Sequence, residues 1–117
     1  MKKQAANQQK IGYAFIDKAL ETAFNELQKG RTDELELASF LSRAILDLLK
    51  NPLCGIRVPS NRWPKEYIRK HKINNLWKYD LPGGWRMLYT IHGNEVQIIS
   101  VLIEWLSHKE YERRFNY

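Results

Sequence analysis

Between residues 13 and 29 the apolar positions Ile16, Leu20, Ala23, Phe24 and Leu27 fall three and four residues apart, which places them on one stripe of an amphipathic helix. Gly30 is positioned to end that helix, since glycine adopts the conformation of a helix C-terminus at little steric cost. A second helix is expected to begin near Asp33, with its side chain capping and Glu36 reaching back. Leu37, Leu41, Ile45 and Leu48 form its buried stripe, and Asn51-Pro52 stops it. The short link through Gly30 favours an antiparallel helical hairpin, whose apolar face needs a second layer.

From residue 74 the pattern changes to aromatic and β-branched runs, "NNLWKYD", "WRMLYTI" and "EVQIISVLIEW", separated by Pro82-Gly83-Gly84 and Gly93-Asn94. These predict a small antiparallel meander, with Leu81-Pro82-Gly83-Gly84 suited to a type II turn. If the hairpins close at Leu81/Gly84 and His92/Glu95, Arg86 lies opposite Tyr79 and Val101. Trp77, Tyr79, Arg86 and Leu88 then share one face, and Lys78 shares the other with Trp85, Met87 and Tyr89 unless a bulge moves it across. The intervening "IRVPSNRWPKEYIRKHK", residues 56–72, reads as a loop without a regular strand and with one short helix from Pro64. Ser107 and Glu110 are spaced as a capping box, so a short C-terminal helix is expected to start there. The expected fold is α+β over a single domain, residues 1–117: a helical hairpin packed on a small antiparallel sheet, then a short helix.

Composition is consistent with this: 44% hydrophobic and 27% charged residues describe a globular chain and exclude a disordered or fibrous one. No apolar run reaches the length of a membrane span, and "MKKQAANQQK" lacks the apolar core of a signal peptide, so a cytoplasmic location is expected. The lone Cys54 has no disulfide partner and is read as packing. Charge changes the picture more. The first 55 residues carry eight Lys/Arg against seven Asp/Glu, whereas residues 56–117 carry eleven against six, so an anionic partner is expected at the second half.

Arg86 is the first candidate for chemistry, because an arginine inside an apolar strand must reach solvent, pair with a carboxylate or face an anionic ligand. It can hold a phosphate through its planar fork beside stacking aromatics, or it can be ion-paired with Glu104 or Asp80 as a structural residue. His108, Lys109, Tyr111, Arg113 and Arg114 add a proton carrier, an aromatic hydroxyl and cations within one short segment, next to the phosphate-attracting start of a helix. A surface histidine and a tyrosine folded onto the core are the structural alternatives. His71 and His92 have no ligand spacing, so no metal site is expected.

The order of helical hairpin, basic loop, "NLWKYDLPGGWRMLYTI" and "VQIISVLIEWLSHKEYERRF" resembles the RelE/ParE superfamily of type II toxin–antitoxin toxins, over roughly residues 13 to 115. The resemblance implies a RelE-like messenger-RNA endoribonuclease that acts on the ribosome without metal or cofactor and is held by a cognate antitoxin. In that reaction the RNA 2′-hydroxyl attacks the adjacent phosphate. It implies a catalytic set of Arg86, His108, Tyr111 and Lys78, with Lys109, Arg113, Arg114, Trp77 and Tyr79 contacting RNA. The chain departs from the family in two respects. "QQKIGYAFID" offers at best a short strand from Ile11 to Ile16, and Glu104 and Trp105 stand where shorter, more basic residues are common. Two other functions remain open: a ParE-like toxin acting on gyrase, and a non-catalytic RNA-binding domain of the same fold.

Overall fold

The computed structural model describes residues 9–116. The segment through residue 8, which holds most of the stretch read as lacking a signal-peptide core, lies outside the described residues. The chain runs β1 (Lys10–Phe15), α1 (Lys18–Leu27), α2 (Thr32–Lys50), β2 (Ile56–Arg57), β3 (Trp77–Asp80), β4 (Arg86–Gly93), β5 (Gln97–Leu106) and α3 (His108–Phe115). Short 3₁₀ turns at Pro52–Cys54, Ser60–Arg62 and Pro82–Gly84 and a π-helical turn at Tyr67–His71 lie between them. The fold is α+β, around one five-stranded sheet of order β1-β5-β4-β3-β2.

The sheet is mixed. β3, β4 and β5 are antiparallel neighbours as the alternation predicts, but β1 adds to β5 in parallel, from Lys10 opposite Gln97 to Phe15 opposite Leu102. The first helix is accordingly shorter than its periodicity suggested. Asp17 caps it by accepting from the Leu20 amide at 2.9 Å, and the Ile16 amide donates to the Leu102 carbonyl at 2.7 Å, so residues 13–16 belong with the sheet. α2 begins just before the expected Asp33: Arg31 is its N-cap, and Glu34 rather than Glu36 reaches back to the Arg31 amide, at 2.9 Å. Pro64 does precede a helical turn, but the basic loop also contributes β2, a two-residue edge strand paired with Lys78 and Trp77.

The register also differs from simple pairing. The first hairpin closes one residue later than expected, through the Leu81 amide and the Trp85 carbonyl at 2.8 Å, with both Gly83 and Gly84 at positive φ (73° and 83°). Arg86 therefore faces Asp80 on β3 and Leu106 on β5, not Tyr79 and Val101. The second hairpin pairs Gly93 with Ile98, and a bulge in β5 lies between the Leu88–Glu104 and Tyr89–Leu102 pairs. The one-residue displacement exchanges faces: Lys78 lies with Arg86 and Leu88, while Trp77 and Tyr79 lie with Met87 and Tyr89.

Both faces are covered. On one, Met87, Tyr89 and Leu102 pack against Phe24 of α1 and Leu37, Leu41, Ala44, Ile45 and Leu48 of α2. On the other, Leu88, Ile103 and Leu106 pack against Tyr111 and Phe115 of α3 and against Val58, Tyr67, Ile73 and Leu76 of the basic loop. Cys54 is exposed rather than packed. At the adjacent Gly55 an added Cβ would stand 2.7 Å from the Lys78 carbonyl and closer still to the Tyr89 hydroxyl. The loop thus reaches β3 because glycine lets the backbones meet. The Tyr89 hydroxyl clamps this approach, accepting from the Gly55 amide at 3.1 Å and donating to the Pro52 carbonyl at 2.9 Å.

Candidate nucleic-acid site

The central group is a pair of cations on one carboxylate over one ring. Asp80, the last residue of β3, stands 3.0 Å from Arg86 Nε and 3.4 Å from Lys78 Nζ through the same oxygen, Oδ1. Beneath them lies Tyr111 of α3, with the Arg86 guanidinium 5.1 Å and the Lys78 ammonium 5.4 Å from its ring centroid. Alternation along two paired strands sets the cations side by side, and the capping box of α3 delivers the ring. In that box the Glu110 amide donates to Ser107 Oγ at 3.2 Å, and the Ser107 amide donates to Glu110 at 2.8 Å.

Of the three possibilities open to Arg86, the structure realises ion pairing, with Asp80 and not with Glu104. Its Nη1 donates to the Gly84 carbonyl at 2.5 Å, but Nε, shielded from water, has no aligned hydrogen bond among the described residues despite its closeness to Asp80. The side chains of Arg86 and Lys78 are 18% and 21% exposed and that of Asp80 49%, so the cations open to solvent on the carboxylate's side. An anion arriving there meets two partly desolvated cations, whose attraction is stronger than in bulk water.

His108 opens α3 on the exposed surface, with Nε2 3.3 Å from Glu112 one turn on, a contact that attracts when the imidazole is protonated. It also abuts the first hairpin, since a Cβ added to Gly84 would lie 3.2 Å from its own Cβ. The turn that places Arg86 thus touches the residue that begins α3. Tyr111 is only 4% exposed and stacks on Phe115 with centroids 4.5 Å apart, so it is the floor of the site and belongs to the second core.

The remaining sequence candidates divide. Lys109 and Arg113 are exposed on α3. Arg114 turns inward: its Nη1 donates to Glu104 at 2.6 Å and stands 3.3 Å from Glu66. Glu104 also accepts from the Tyr67 hydroxyl, whose pKa rises because the ring is buried and faces that carboxylate. Glu104 is therefore neutralised by Arg114 and leaves Arg86 to Asp80. Trp77 and Tyr79 lie on the opposite face and are not brought beside Arg86. Trp77 stacks on Tyr89, and Tyr79 donates to Asp47 of α2, which with partial burial pushes its hydroxyl up to about 12.

Sequence reasoning did not single out Glu112, which its four-residue spacing from His108 could have shown, nor Asp47 and Tyr67, whose roles need tertiary contacts. Among the described residues no group of three or more His, Cys, Asp or Glu is placed to hold a metal ion, and no helix is long and apolar enough to cross a membrane. No family model, curated protein or solved structure matches this chain.

Proposed function

We propose that the protein is a toxin of the RelE kind, an endoribonuclease that cleaves messenger RNA on the ribosome and is controlled by an antitoxin. The observation that carries the reading is the juxtaposition of Arg86 and Lys78 over Tyr111, beside the turn on which His108 rests. The order of strands β3 to β5 and the capped terminal helix support it, as does the excess of positive charge in residues 56–117. The scissile phosphate displaces Asp80 from Arg86 and Lys78, which then stabilise the charge that builds on its oxygens. His108 takes the 2′-hydroxyl proton as the O2′–P bond forms. The P–O5′ bond breaks, solvent protonates the leaving oxygen, and Glu112 stabilises the imidazolium. Tyr111 holds the cations in place from below.

The test is to express the protein under tight control and map messenger-RNA ends in the cells, beside an Arg86→Ala, His108→Ala double variant. New ends at translated codons, lost in the double variant by a factor of at least about 100, support the reading. Growth arrest without new ends overturns it in favour of a protein target such as gyrase. The Asp80 ion pair specifically favours one alternative, a non-catalytic domain in which Arg86 and Lys78 bind RNA but do not cleave it. Neither arrest nor new ends, with RNA bound in a salt-dependent way, would establish that alternative.

A further inference from the structure

A cleft that the proposed reaction leaves unused, about 570 Å³, lies between the 3₁₀ turn Ser60–Arg62 and the C-terminal end of α3. Arg62, Trp63, Lys65, Glu66, Arg114 and Phe115 are among its lining residues, so three cations face one carboxylate. Arg114 is shared between Glu66 and Glu104, so the formal excess of positive charge at the cleft comes from Arg62 and Lys65. Trp63 is half-buried against the second core, and its indole N–H donates to the Val58 carbonyl at 2.9 Å. The part of Trp63 that borders the cleft is therefore apolar ring and not a polar handle. Cations beside a rigid aromatic surface are the elements with which proteins hold single-stranded nucleic acid, the phosphate on the charge and the base on the ring.

We propose that this cleft is a second contact for the RNA strand whose scissile phosphate lies at Arg86. The inference rests on the function proposed above for its substrate and adds a subsite remote from the chemistry. Phe115 at the cleft and Tyr111 beneath Arg86 are one turn of α3 apart, about 6 Å of rise. The cleft therefore adjoins the Arg86 site along α3, within reach of one RNA strand. There a base stacks on Trp63, and the flanking phosphate meets Lys65 and Arg62. Net positive charge favours RNA over a cationic or apolar partner. An acidic protein segment is the competing occupant that the test must distinguish.

Fluorescence anisotropy with labelled 2′-O-methyl RNA, which binds but offers no 2′-hydroxyl for cleavage, reads this directly on the full chain. A dinucleotide, with its single phosphate, serves only the Arg86 site, and an octamer is long enough to span both. Lys65→Glu, at an exposed position, should weaken octamer binding about tenfold and reduce its log–log salt slope by about 0.7, with dinucleotide binding changed less than twofold. Trp63→Ala should weaken the octamer by a similar factor and Trp63→Phe should restore most of the loss, which separates stacking from a folding defect. Octamer binding that is unaffected by Lys65→Glu and by Trp63→Ala overturns the subsite while leaving the reading of Arg86 intact, and leaves an acidic protein segment as the competing occupant. Failure of the wild-type protein to bind the octamer at low salt also overturns the subsite, whereas the mapped messenger-RNA ends judge the cleavage reading independently.

Discussion

Asp80 shows how one carboxylate can hold a site in check. It shares one oxygen between Arg86 and Lys78, so the two cations stay together without an external anion, and a phosphate must compete with it. Removing that charge while keeping the shape has a definite expected result. Asp80→Asn should tighten binding of short RNA several-fold and steepen its salt dependence, because both cations become available to phosphate. It should also lower stability by up to about 1 kcal/mol, the usual scale for losing an ion-pair partner near the surface. Anisotropy titrations and urea unfolding of the same variant check the two effects, and weaker RNA binding would mean that Asp80 positions Arg86 for the ligand. The pairing of Arg86 with a carboxylate was legible from sequence, but the choice between Glu104 and Asp80 was not. It turns on Trp85, one residue that extends the hairpin loop and reverses which side chains meet.

Elements specified by neighbouring residues were the legible ones. The box that starts α3 joins Ser107 to Glu110, three positions away, and it forms as its spacing predicts. β1 was not legible as a partner of β5, because a parallel pair leaves no turn between its strands to mark the register. The α3 box carries a pH signature. Hydrogen bonding to Ser107, first through its backbone amide, lowers the Glu110 pKa below its ordinary 4.5. A carboxylate lowered in the folded state stabilises that state above its ordinary pKa, and the stabilisation is lost as pH falls through the lowered value. Ser107→Ala should therefore cost about 1 kcal/mol at pH 7, and Glu110→Gln a smaller amount that fades as acid protonates Glu110. Urea midpoints at pH 7 and in acid check this. A Glu110→Gln deficit that persists undiminished in acid would show that the charge of Glu110 is not what stabilises the helix start.

For the molecule as a whole, the consecutive residues Met87 and Leu88 of β4 serve two cores on opposite faces. The candidate cations sit over the smaller core, whereas most of the helical surface is buried in the other. Leu41 has no exposed surface and stands on the face away from Arg86. Leu41→Ala should lower stability by about 2–5 kcal/mol, and because β4 and β5 are common to both cores the whole chain should unfold in one transition. Far-ultraviolet circular dichroism and tryptophan fluorescence recorded through a urea titration should then trace the same curve. Separate curves would show that the layer of α3 and the basic loop melts independently of the helical layer. The two-sided burial was only partly legible. Each strand is apolar on both faces, but the basic loop that covers the second face is rich in charge and proline and carries no periodic signal.

The pairing of β1 with β5 also has a meaning in time. At synthesis rates of about 5–20 residues per second, β1 leaves the ribosome several seconds before the strand that holds it, since Lys10 must wait for Gln97. Through that interval Tyr13 and Phe15 lie in a segment without its neighbour. Arg86, made before β5 and α3, has as yet no tyrosine beneath it. Translation interrupted ahead of residue 97 therefore leaves a nascent chain that carries the cations but not the floor that gathers them, so the candidate site assembles only when the last two elements, β5 and α3, have been made.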